Sequence, residues 1–131
     1  MQLIIVQVIL DLIQLPETCV EGRTSRVLKI ANGSGSNRRG VLLIGGVHAR
    51  ELVNPDLLVD LVVRICHAYT NDSDIVYGGK TWPASTIKLL VDTLDIIIFP
   101  LVNPDGRKHV EDPSGYAMWR KNRRINAGSS C

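Results

Sequence analysis

A histidine, an arginine and a glutamate fall within four residues of one another, His48, Arg50 and Glu51, directly after the apolar run Val41-Leu42-Leu43-Ile44 and the pair Gly45-Gly46. His48 and Glu51 are three apart, and in a turn or a helix that spacing sets two side chains on one side, roughly 5–6 Å apart at Cβ. Such a pair suits one metal ion. Imidazole nitrogen and carboxylate oxygen both bind zinc at about 2.0–2.2 Å, and a catalytic zinc takes about three protein ligands while keeping one position open for water. A histidine and a glutamate at a helix start also serve capping and dipole roles, so the spacing by itself carries both readings.

The elements around these residues narrow the choice. Val41–Ile44 reads as a buried strand covered on both faces, because consecutive aliphatic residues bounded by glycine fit that environment. Gly45 and Gly46 permit a sharp departure, which leaves His48 at the carboxyl end of the strand. Asn54-Pro55-Asp56 has the composition of a helix start, with Asn as N-cap and Pro at the first position. Leu57, Leu58, Leu61, Val62, Ile65, Cys66 and Tyr69 follow at helical spacing beside a narrow polar stripe of Asp56, Asp60, Arg64 and His67, predicting a largely buried helix. Residues 71–83 form a polar connection containing Gly78-Gly79, Thr86–Leu94 a second helix, and Asp95–Val102 a central strand that ends at the turn Asn103-Pro104-Asp105-Gly106. Nearer the start, residues 3–15 read as a strand or a helix ended by Pro16, and Glu21-Gly22-Arg23 as a turn. Arg26–Ile30 alternates as a half-buried strand does, and the loop Asn32–Asn37 makes it the antiparallel neighbour of Val41–Ile44. This order predicts an α/β fold, a mixed β-sheet with helices on its faces. Functional groups gather at the carboxyl ends of strands in such sheets, and both His48 and the Asn103–Gly106 turn lie there.

Composition bounds the alternatives. At 131 residues the chain is one domain at most, and 45% hydrophobic with 21% charged residues excludes disorder and coiled coil. Cys19, Cys66 and Cys131 have no close spacing, so there is no zinc ribbon or redox pair, and an odd count leaves one thiol unpaired within the chain. The N-terminal apolar stretch lacks a basic flank and a small-residue cleavage site, and it reads as structure rather than a signal peptide. No run reaches the roughly 20 apolar residues of a membrane helix. The basic tract Arg120-Lys121-Asn122-Arg123-Arg124 invites a nucleic-acid reading. A net charge of +2 and six aromatic residues give that reading little surface, and the expectation is no nucleic-acid partner, with Arg123 and Arg124 solvated or paired to acids such as Glu111 and Asp112.

Gly45-Gly46-Val47-His48-Ala49-Arg50-Glu51, then about fifty residues on Pro100-Leu101-Val102-Asn103-Pro104-Asp105-Gly106, then Trp119-Arg120-Lys121-Asn122-Arg123, resemble the N-terminal half of a zinc carboxypeptidase of the carboxypeptidase A type. Glu21-Gly22-Arg23 before an alternating strand is similar to that family as well. The resemblance implies a partial zinc carboxypeptidase domain over residues 1–131, truncated on its C-terminal side, with Zn2+ as cofactor. It implies a peptide or protein C-terminus as substrate, and a secreted or extracytoplasmic setting. His48 and Glu51 look like the first two zinc ligands and Arg50 like a substrate-binding arginine. Arg120 looks like the catalytic, substrate-binding arginine that polarises the scissile carbonyl. Asn103, Pro104 and Gly106 resemble a structural turn. The family often has a second substrate-binding arginine three residues before Arg120, where Ala117 stands here.

Relatives continue past a Gly-Ser-Ser-Cys-like segment to an Asn-Arg pair, a third zinc-binding histidine, a substrate-binding tyrosine and the glutamate that acts as base. This sequence ends at Cys131, and the resemblance implies that the family counterpart of that cysteine pairs further downstream. His67 is too far along its helix to replace the third ligand, about 18 Å from the helix start at 1.5 Å per residue. His109 follows the central strand but has no counterpart as a ligand. Three classes compete: a metallocarboxypeptidase whose 131-residue chain is inactive alone, an inactive fragment or pseudoenzyme that binds peptide or metal, and the H-x-x-E zinc acylase branch. Loss of covering elements would leave Ile96, Ile98 or their neighbours exposed on an open edge or face and favour self-association.

Overall fold

The computed structural model describes residues 9–35 and 37–126 of the chain. In order, the elements are β1 (Leu10–Thr18), β2 (Thr24–Ile30), β3 (Arg39–Ile44), α1 (Val53–Asn71), β4 (Ile75–Tyr77), β5 (Lys80–Trp82), α2 (Ala84–Thr93), β6 (Leu94–Phe99) and α3 (Pro104–Glu111). The fold is α/β. Four strands form one mixed sheet in the spatial order β1-β2-β6-β3, and β4 and β5 form a separate hairpin. β2 runs antiparallel to β6, whereas β3 runs parallel to it with Val41 opposite Ile96 and Leu43 opposite Ile98. A parallel pair needs a long crossover, which α1, the hairpin and α2 supply.

β6 is the central strand the sequence predicts, and its position overturns the expected pairing of β2 with β3, because it lies between them. Its Ile96-Ile97-Ile98 run suits the most covered place in the sheet. Arg38, at the end of the β2–β3 loop, holds that loop across the start of β6. Its guanidinium donates to Asp95 Oδ1 at 2.8 Å and to the carbonyls of Val91 (2.8 Å) and Leu94 (2.6 Å), closing the last turn of α2.

β3 is therefore an edge strand, and the expectation that it is covered on both faces fails: Leu42 is 62% and Ile44 58% exposed. Ile96 and Ile98 are buried at 7% and 0%, and the exposure expected of them or their neighbours falls on the adjoining β3 residues. The sheet shields its middle and leaves its margin bare.

α1 and α2 cover one face through Val62, Cys66, Ala68, Ile87 and Val91, which meet Ile30, Ile96 and Ile98. α1 buries one stripe rather than most of its surface, since Leu57, Val59 and Val63 are exposed. It begins at Val53 with Leu52 at the cap position and no side-chain cap. Asn54, expected to cap it, accepts the Gly46 N–H at 3.1 Å instead. Residues 71–83, read as a plain connection, contain the β4–β5 hairpin, whose Gly78 and Gly79 take positive φ at both turn positions (58° and 75°), as a tight two-residue turn requires. β1 runs through Pro16, and its register shifts between Gln14 and Thr18, because proline cannot donate to the ladder. Cys131 and the first residues of the predicted 3–15 element lie outside the described residues.

Candidate metal and substrate site

Beyond the ends of β3 and β6 the two chains stay joined by backbone. Gly45 N–H donates to Phe99 O (2.9 Å), Val102 N–H to Gly45 O (3.0 Å) and Asn103 N–H to Gly46 O (2.9 Å). Gly46 has φ +61°, and a Cβ there would stand 3.0 Å from Leu101 Cα, so glycine is needed both for the turn and for the close approach. The arrangement delivers His48 and Asn103 together at the carboxyl edge of the sheet.

His48 to Glu51 is a turn, closed by Glu51 N–H donating to His48 O at 3.2 Å. His48 is half-buried, and Arg50 and Glu51 are exposed. Arg50 reaches the Met118 carbonyl at 3.4 Å. The closest functional contact spans 72 residues: Arg120 Nη2 lies 2.8 Å from His48 Nε2. A guanidinium only donates, so Nε2 accepts and the proton of the neutral ring sits on Nδ1. The backbone of Arg120 is held on the same turn, its carbonyl accepting from Ala49 N–H at 3.1 Å.

Asn103-Pro104-Asp105-Gly106 is the start of α3 rather than a free turn. Asn103 caps it through Oδ1, which accepts from Gly106 N–H at 2.9 Å, while its Nδ2 donates to Lys121 O at 3.0 Å. Asp105, 3% exposed, accepts from Glu21 N–H and from Arg23 Nη1, each at 2.8 Å. Glu21 then takes Arg23 on Oε2 (2.7 Å) and Arg123 on Oε1 (2.9 Å). Arg123 first and Arg23 second hold the Glu21 carboxyl below the usual carboxylate range, while Asp105 and then Glu21 push Arg23 upward. Arg123 also lies over the Trp119 ring, 4.9 Å from its centroid.

The three short motifs thus meet in one place. The sequence reading missed Asp105, Glu21 and Arg23 as the joint between them. A lone aspartate beside two known turn formers gives no signal of burial. Arg123 pairs with Glu21, not with Glu111 or Asp112, which are taken by Arg107 and Lys108 one helical turn away. His109 packs edge-on against Trp119 with centroids 5.2 Å apart, and His67 is exposed on α1.

Imidazole and carboxylate are the donor types zinc takes, but the fit is partial. Among the described residues no group of three or more His, Cys, Asp or Glu gathers around one point. His48 and Glu51 offer two donors of suitable type.

The family model described as zinc carboxypeptidase matches residues 10–131. Among curated relatives, the chain is 37% identical over 109 residues to a zinc carboxypeptidase of Saccharothrix mutabilis subsp. capreolus, covering 82% of this chain and 22% of that protein. It is 31% identical over 112 residues to metallocarboxypeptidase A of Arthroderma otae, covering 85% and 23%. The crystal structure of thrombin activatable fibrinolysis inhibitor superposes with a TM-score of 0.76 at 22% identity, over 95% of this chain and 27% of that one. The chain spans about a quarter of the length of the proteins it matches.

Proposed function

This chain belongs to the zinc carboxypeptidase family, and from that premise we propose that it supplies the His48, Glu51 and Arg120 part of a metallocarboxypeptidase site that cleaves C-terminal peptide bonds. The observation that carries the reading is the 2.8 Å approach of the Arg120 guanidinium to His48, which sets a fixed cation beside a metal-donor imidazole. His48 and Glu51 would hold zinc, an imidazole nitrogen and a carboxylate being donor types it takes. When bound, zinc supplies a Lewis acid and an activated water. Arg120 presents its planar donors where charge develops on a scissile carbonyl oxygen, and Arg50 binds substrate from the rim. The third donor and the general base belong to the part of the family domain that the matched 112 residues do not span.

Two donors hold zinc weakly, and a missing base removes about 10²–10⁴-fold in rate. The 131-residue chain on its own therefore lacks appreciable carboxypeptidase activity. A chimera tests the reading: residues 10–126 replace the matched segment of the Saccharothrix mutabilis zinc carboxypeptidase. Hydrolysis of a blocked dipeptide that is lost in His48→Ala and Arg120→Ala supports it. A folded chimera whose activity ignores both substitutions refutes it. The absence of a three-residue donor group among the described residues favours a second reading, a non-catalytic module that binds peptide or metal. Family membership gives the acylase branch no comparable support.

A further inference from the structure

Residues 119–123 form neither helix nor strand, yet they carry Arg120, whose guanidinium reaches His48. Three contacts hold the Arg120 and Lys121 carbonyls. Ala49 N–H donates to Arg120 O, Asn103 Nδ2 to Lys121 O, and Trp119 Nε1 to Lys121 O at 2.7 Å. All three hold carbonyl oxygens and leave the Arg120 side chain itself to be oriented by what flanks it. On its C-terminal side Arg123 Nε donates to Glu21 Oε1, 102 residues away.

We infer that Glu21 and Arg123 are positioning residues for Arg120, a role that rests on the reading of Arg120 as the group that stabilises the oxyanion. Glu21 is anchored before it meets Arg123, because its N–H is bound to the buried Asp105 carboxylate and its Oε2 to Arg23. Asp105 sits in the first turn of α3, which Asn103 caps, so the anchor is tied to the end of β6. From this fixed point Oε1 takes Arg123 Nε, leaving the guanidinium plane to lie over Trp119. Trp119 is adjacent to Arg120 and also carries His109 against its edge. Both flanks of Arg120 are therefore clamped to the sheet edge that presents His48.

An exposed ion pair adds little to stability, since about a third of each of these side chains is in solvent. Its structural contribution and its orienting contribution thus separate in experiment. The readout is the tautomer of the His48 ring, obtained from long-range ¹H–¹⁵N NMR of the 131-residue chain at a pH of about 8.5, where an ordinary imidazole is neutral. A donor held at Nε2 keeps the proton on Nδ1. Glu21→Gln and Arg123→Gln should each move the tautomer ratio toward Nε2–H by about two- to fivefold, the range an exposed charge pair supports. Thermal melting should hardly change. Arg120→Ala should abolish the bias, and Arg64→Ala, on the far side of α1, should leave it alone. If Arg120→Ala removes the bias while neither clamp variant moves it, the positioning role is wrong and the role of Arg120 stands. If Arg120→Ala also leaves the ratio unchanged, the His48 contact fails and both readings fall. Should Glu21→Gln unfold the chain, the surface variant Arg123→Gln decides alone.

Discussion

The Asn103 side chain donates to the carbonyl oxygen of Lys121 across 3.0 Å while its oxygen caps α3, so one buried amide joins the end of the central strand to the segment that carries Arg120. Asn103→Ala removes the cap and one of the two donors to the Lys121 carbonyl, the other being Trp119 Nε1, a combined cost on the order of 2 kcal/mol. Urea unfolding measures it. Faster proteolysis within residues 113–126 should accompany the loss, and a cost below about 0.5 kcal/mol would place the restraint on this segment elsewhere.

Ile98 has no exposure and touches both helices' side of the core. Ile98→Ala should cost about 2–5 kcal/mol, the usual range for emptying a fully buried aliphatic site. Leu42→Ala, on the bare margin, should cost far less. Equal losses at the two positions would mean that β3 is covered in solution.

Acid should unfold the chain through a defined set of carboxylates. Asp95 is held down by Lys29 and then Arg38, Glu21 by Arg123 and then Arg23, and Asp92 by Asn32 and then Tyr69. Asp112 is lowered to about 2 by the Ser114 hydroxyl first, then its backbone N–H and Lys108. A group whose folded pKa is depressed contributes stability above its unfolded value, and that contribution is lost as pH falls through the folded value. The ordinary values here are 4.5 for Glu and 3.8 for Asp. The melting temperature should therefore be level as pH falls from 7 to about 5, then drop between about 4.5 and 2. Asp112→Asn should flatten the lowest part of that limb.

Leu42 and Ile44 stand on an open strand edge, a template for pairing with another chain. The sedimentation coefficient of the 131-residue chain should rise with concentration under reducing conditions, and Leu42→Glu should suppress the rise. Identical concentration-independent behaviour of both proteins would mean that this edge is closed or inert.

Much of the candidate site was legible because it is local. His48, Arg50 and Glu51 are near neighbours, and a strand followed by two glycines announces a departure point. The α1, α2 and β6 segments were found by periodicity and apolar runs. What escaped was set by pairing at long range. Nothing in Val41–Ile44 itself distinguishes a strand buried between neighbours from one at a margin, and the loop after β2 did not reveal that β6 would enter beside it. Asp105 and Glu21 were missed for the same reason, since their partners are 82 to 84 residues away. α3 was taken for a turn because Asn-Pro-Asp-Gly starts both, and the eight residues after Asn103 have little apolar periodicity to tell them apart.

The placement of β6 between β2 and β3 also governs the order in which the chain can organise itself. β1 and β2 are joined by a short turn and can zip early, but Arg39 must wait for Leu94 before its ladder begins, a separation that makes closure slow. On a ribosome, β2 and β3 would both emerge with one flank unmatched until the same strand arrives. Ile96-Ile97-Ile98 then settles both at once. The His48 turn is threaded to residues 99–103 only by that event, so the site is among the last parts of the chain to form.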